Sequence, residues 1–207
     1  MVLYHGTHVQ NIKMLKPFAT RGNAISKPVI CFTPNFCMAL LYIWNRSYKW
    51  VTFNENTDGR IVFTEHYDNM LYDFYNQVSG SIYECDGNNA DIQTTHMKGV
   101  FVSEKTIGVE KEIIVPSVYD EVIQQESLGN VVVRRYNQLS SEEKNEISNT
   151  TVRAIHMQKL LTPSDYAPKK ELAAFVRSHF SIEWETASKM TKEETEQMIN
   201  EWRASLE

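Results

Sequence analysis

His5-Gly6-Thr7 follows directly on the apolar run Val2-Leu3-Tyr4. The tripeptide has two readings. Gly-Thr after a strand is common turn chemistry with no ligand involved. Alternatively, an imidazole, a backbone without a side chain and a hydroxyl stand together at a strand end and begin a polar site. His5 and Cys31 are the residue types of a nucleophilic dyad for acyl transfer. Cys31, however, falls inside the apolar stretch Val29-Ile30-Cys31-Phe32-Thr33, away from any helix N-terminus that would stabilise a thiolate, and reads as a small buried hydrophobe. Tyr42 stands at helical spacing from Met38 and reads either as a core aromatic or as a ring offered to a ligand. Trp44, Tyr48 and Trp50 interleave with Arg46 and Lys49; such a group can stack on bases or an adenine, though more often it is a loop packed on the core. His66 and His96 lack the partner spacing of a metal site and read as solvated.

The elements that must position these residues follow from pattern. Val2-Leu3-Tyr4 is a short strand. Val9, Ile12 and Leu15 recur at helical spacing and predict a short helix that Pro17 ends. Residues 20–27, with Gly22 and Asn23, read as a loop, and 29–33 as a strand between Pro28 and Pro34. Asn35 can cap a helix from Phe36 to about Trp44. Thr57-Asp58-Gly59 is a turn before a strand at 60–64, and 67–75 reads as loop or short helix. Further strands are expected at 80–85, 100–103, 109–115 and 131–136, with a helix opening at Ser117. Beyond residue 138 no β pattern remains. Ser140-Ser141-Glu142-Glu143 and Thr191-Lys192-Glu193-Glu194 have the form of capping boxes, and Pro168 suits the first turn of a helix reaching Phe180. Leu172, Phe175, Val176 and Phe180 form the apolar stripe of that helix.

The order of these pieces resembles the His-Tyr-Glu branch of the ADP-ribosyltransferase fold, which includes the poly(ADP-ribose) polymerases and diphtheria toxin. There a strand ends in His-Gly-Thr or His-Gly-Ser, and a second strand leads into a helix that ends in Tyr, as Leu3 to Thr7, Val29 to Thr33 and Ala39 to Tyr42 do here. The resemblance covers 2–136 and is specific over those segments. It implies an α+β fold: a mixed β core with flanking helices at 1–137, followed by an all-helical C-terminal extension at 138–207. It implies an enzyme that takes NAD as substrate, cleaves the nicotinamide–ribose bond and transfers ADP-ribose to an acceptor it does not identify. Gly6 would hold the nicotinamide carboxamide through its backbone, with Thr7 as a polar neighbour. His5 would donate to a ribose hydroxyl, and Tyr42 would stack on the nicotinamide ring. A carboxylate normally completes the site by stabilising the oxocarbenium-like charge. Three positions depart from the family. Cys31 stands where the second strand has Tyr, so that Phe32 or Phe36 would have to form that wall. Ala39 replaces a small hydroxyl residue, and Gly99 falls at the glutamate. Glu104 is the nearest replacement, ahead of Glu84 and Glu121. These departures keep open a second function: a catalytically inactive binding module with this fold, acting through protein partners. A third reading, a related RNA end-processing phosphotransferase, would need arginines near the phosphates, with Arg21 and Arg46 as candidates.

Composition sets the outer limits. The chain has 207 residues, 42% of them hydrophobic, enough for a packed core without metals or disulfides. A net charge of −5 without a basic stripe weighs against a general nucleic-acid binder. Three cysteines without a CxxC pair point to a reducing, cytoplasmic setting and away from structural zinc. No signal-like start and no run of about 20 apolar residues predicts a membrane association. The amphipathic C-terminal helices are expected to dock a protein partner, pack on the main domain or self-associate.

Overall fold

The computed structural model describes residues 1–18, 27–50, 52–95 and 99–205. Arg21, His96 and all but Lys27 of the loop expected at 20–27 lie outside the described residues. The fold is mixed α+β. In chain order the elements are β1 (Val2–Thr7), β2 (Met14–Leu15), β3 (Ile30–Phe32), α1 (Phe36–Leu41), β4 (Phe53–Glu55), β5 (Ile61–Thr64) and α2 (Met70–Tyr75). Then come β6 (Gly80–Asp86), β7 (Gln93–Thr94), β8 (Phe101–Ser103), β9 (Ile107–Gly108), β10 (Lys111–Val115), α3 (Val118–Ser127) and β11 (Val131–Arg134). A 3₁₀ turn at Tyr136–Gln138 precedes α4 (Ser141–Met157), α5 (Ala167–His179), α6 (Ser181–Lys189) and α7 (Lys192–Ala204).

The chain divides into two compact units. The first comprises Met1–Asn45, Phe53–Thr64 and Asn69–Val133. Its sheets are small: β1-β6-β10, β3-β8-β7, β11-β5-β4 and the pair β2-β9. Strand β6 is central and buried on both faces, from Gly80 through Tyr83. Strand β1 pairs antiparallel with it in unbroken register, Val2 against Asp86 through Thr7 against Ser81. Leu3, Leu15, Ile30, Phe32, Tyr83, Cys85 and Ile107 form one core cluster. The side chain of Asn35 accepts from Met38 N–H at 3.2 Å, which starts α1, and Ser117 starts α3 in the same way.

The helix expected from Val9 to Leu15 is absent; apart from β2 the segment is irregular. Its backbone groups are claimed by side chains from distant strands. The Tyr83 hydroxyl donates to Val9 C=O at 2.9 Å and accepts from Ile12 N–H at 3.1 Å. Asn11 N–H donates to the Glu112 carboxylate at 2.8 Å. A segment whose amides already have partners gains little by turning into a short helix, whose nucleation is costly.

The second unit comprises Arg46–Thr52, Glu65–Asp68 and Arg134–Glu207. Both capping boxes form, at Ser140 with Glu143 and at Thr191 with Glu194. Pro168 lies in the first turn of α5. Helix α6 was not legible because only Ala187 is buried on it, so it has no apolar stripe. The core of this unit is aromatic: Trp50 packs on Phe180 with ring centroids 5.4 Å apart, and Tyr48 stacks on Phe175 at 5.3 Å. The Tyr48 and Trp50 rings are therefore packing residues, and Arg46 lies over Tyr48. His66 is half-buried beside Trp50 rather than solvated, and this burial pushes its pKa down to about 4. No described helix is long and apolar enough to cross a membrane.

Candidate ligand site where strands β1 and β3 part

One antiparallel pair joins β1 to the end of β3. Tyr4 N–H donates to Thr33 C=O at 2.8 Å, and Thr33 N–H returns to Tyr4 C=O at 3.0 Å. Tyr4 therefore turns its backbone groups away from β6. Backbone direction alternates along a strand, so Leu3 and His5 face β6, and Gly6 faces outward as Tyr4 does. Continuing the register would set Gly6 opposite Cys31. The ladder stops short of that pair. The Cys31 carbonyl instead accepts from His5 Nδ1 at 2.8 Å. Among the described residues neither the N–H nor the C=O of Gly6 has a partner on that edge. A donor and an acceptor thus point together into the wedge between two strands.

Gly6 is required here for a second reason. A Cβ on it would stand 1.8 Å from the Ala39 carbonyl oxygen, so the last turn of α1 occupies the side-chain space. The glycine admits the helix on one side and leaves its backbone bare on the other. Ala39 itself is 1% exposed and belongs to this contact.

A carbonyl only accepts, so His5 Nδ1 carries the proton in that bond. Burial lowers the His5 pKa, against the smaller opposing effect of the Cys31 carbonyl. The ring is neutral near pH 7, with Nε2 bearing a lone pair. The expected donation from His5 to a ribose hydroxyl is accordingly reversed: the hydroxyl would donate and Nε2 accept.

Cys31 is exposed, contrary to the expectation of a buried residue, because it alternates with the buried Ile30 and Phe32 on β3. Phe32 is 2% exposed within the core cluster and meets His5 edge-on at 6.1 Å; it has no open face for a flat ligand and is corrected from a binding residue to a packing residue. Tyr42 ends α1 and is 45% exposed. Its ring meets Phe53 edge to face at 5.3 Å. Burial of its hydroxyl, and then the charge of a Cys31 thiolate, raise its pKa. Thr7 Oγ1 accepts from Val9 N–H at 3.3 Å and closes the turn leaving β1.

Glu104 follows β8 and pairs with Lys27 at 3.2 Å, both side chains more than half exposed. Gly99 has φ +73°, a conformation L side chains rarely adopt. Lys98 lies outside the described residues. Phe53 and Glu55 on β4 were not anticipated. The signal was the Thr57-Asp58-Gly59 turn: a strand after such a turn asks for a partner before it. Cys37 and Cys85 are buried, and burial pushes each thiol up to about 11, against formation of a thiolate.

A groove of about 490 Å³ lies elsewhere in this unit, between the start of α1 at Asn35 and Cys37 and the Asp58–Arg60 turn. It contains none of His5, Gly6 and Tyr42. Among the described residues no group of three or more His, Cys, Asp or Glu could hold a metal ion. No protein-family model, no curated protein and no solved structure matches the chain.

Proposed function

We propose that the chain is an ADP-ribosyltransferase that binds NAD in the wedge between β1 and β3. The observation that carries this reading is the outward backbone edge of Gly6, which has no hydrogen-bond partner among the described residues, beside a neutral His5. A carboxamide has one acceptor and one donor pair, complementary to the Gly6 N–H and C=O. His5 Nε2 then accepts from a ribose hydroxyl, and the exposed Tyr42 ring covers the nicotinamide. In the transfer step the bond between the ribose C1′ and the ring nitrogen breaks. Its electron pair goes to the nitrogen, and nicotinamide leaves neutral. The positive charge left on the ribose is stabilised by a carboxylate. An acceptor nucleophile bonds to C1′ and gives up its proton to solvent. Glu104 is the carboxylate expected from sequence.

Two measurements test this. Saturation at 100 times Kd adds about 2.7 kcal/mol, which at this length raises the melting midpoint by about 5–11 °C. His5→Ala should abolish both that rise and the release of nicotinamide from NAD. An unchanged melt at millimolar NAD refutes the reading.

A second reading, a binding module without catalysis, is favoured by Gly99 at positive φ and by the outward ion pair of Glu104. It predicts an NAD-dependent melt with no nicotinamide release in the presence of candidate acceptors.

A further inference from the structure

The β4–β5 hairpin carries an acidic side chain on its apolar face. Phe53 and Glu55 are two residues apart on β4 and share a face. Their cross-strand partners are Phe63 and Ile61, 2% and 0% exposed. Glu55 is itself exposed, at the last position of β4, and its place opposite a fully buried isoleucine puts a carboxylate at the rim of an apolar row. Among the described residues no hydrogen bond or ion pair accounts for it. Glu55 Oε2 lies 3.7 Å from the point where a Cβ on Gly99 would stand. The turn before β8, where Gly99 cannot be given a side chain without strain, is therefore faced by a carboxylate from β4. On the same face, Phe53 meets the exposed Tyr42 edge to face.

Two rings and a carboxylate so placed suit one kind of ligand, a flat cation. The ring faces attract positive charge through their quadrupoles, and the carboxylate does so directly. We propose that Glu55, rather than Glu104, supplies the carboxylate of this site, and that with Tyr42 and Phe53 it selects a positively charged aromatic ring over its neutral counterpart. The identity of that ring as the pyridinium of NAD rests on the transferase reading; the preference for a cation does not. The preference also has a functional sense. The ring is charged while bonded to ribose and neutral once released, so the same groups hold substrate and let product go.

The test is equilibrium binding of 1-methylnicotinamide, a cation, and of nicotinamide, which is neutral, to the wild-type chain, Glu55→Gln and Glu104→Gln. The wild type should bind the cation about tenfold more tightly. Glu55→Gln, isosteric and on an exposed residue, should remove that difference, and Glu104→Gln should keep it. Equal binding of the two rings, binding of neither, or loss of the difference only in Glu104→Gln overturns the proposal. NAD is titrated in parallel. A cation preference that depends on Glu55, with no binding of NAD, would refute the transferase reading and leave the Glu55 assignment standing.

Discussion

Tyr83→Phe removes one oxygen from a fully buried ring and tests how the segment after β1 is held. That hydroxyl donates to Val9 C=O at 2.9 Å, accepts from Ile12 N–H at 3.1 Å and lies 3.0 Å from Glu112 Oε1. It has a single proton, so it serves Val9 and Glu112 by sharing. The ring and its packing survive the change. Lost are the partners of two backbone groups. Leaving buried polar groups unsatisfied costs about 1–3 kcal/mol. Val9 is 47% exposed, so its carbonyl can recover water, and the lower part of that range applies, about 1–2 kcal/mol. For a chain of this length that is a fall of about 2–8 °C in the melting midpoint. Hydrogen exchange locates the effect: the Ile12 amide should lose protection while amides in the middle of β6 keep theirs at low denaturant. A melt within 1 °C of wild type (roughly the noise of such a comparison) and an unchanged Ile12 amide would refute the account of why this segment is not a helix.

Two further outcomes follow. Gly6→Ala forces a Cβ against the Ala39 carbonyl, a backbone atom that cannot rotate away; a loss of at least about 1–3 kcal/mol is expected in urea denaturation, with NAD binding lost alongside. His66 has a folded pKa of about 4, against about 6.5 when unfolded, so the unfolded chain binds the extra proton between those values and stability falls as pH drops from 6.5 toward 4. Over pH 6.5 to 5 the loss is about 1–2 kcal/mol, and His66→Phe should flatten that limb of the denaturation profile while leaving the rest in place.

The legible parts of the fold were those in which local chemistry and tertiary structure agree. Ser140, Thr191 and Asn35 cap the helices their side chains predict, and the apolar stripe of α5 is buried at Leu172, Phe175 and Val176. The segment from Val9 to Leu15 failed because its helical spacing is real but its amides are taken by Tyr83 and Glu112, more than 70 residues away. Cys31 misled because an unbroken apolar run hides which residues alternate outward. For the candidate site, His5, Gly6 and Tyr42 were proposed from residue type and order. Whether the Gly6 backbone is paired depends on where β1 and β3 part, which no local pattern records. Glu55 went unseen because β4 has only three residues, too few to show a period.

The aromatic core around Phe175 has a consequence for when the protein can fold as it is synthesised. Tyr48 and Trp50 reach the growing chain early, yet their partners Phe175 and Phe180 arrive more than a hundred residues later. Until α5 has left the ribosome, a tryptophan and a tyrosine destined for burial stay in water, open to chaperones and proteases. The same timing applies to dissection. A fragment ending at residue 137 keeps Tyr48, Trp50 and Tyr67 and loses the rings that cover them, so the N-terminal portion is expected to aggregate unless the helices are supplied in trans.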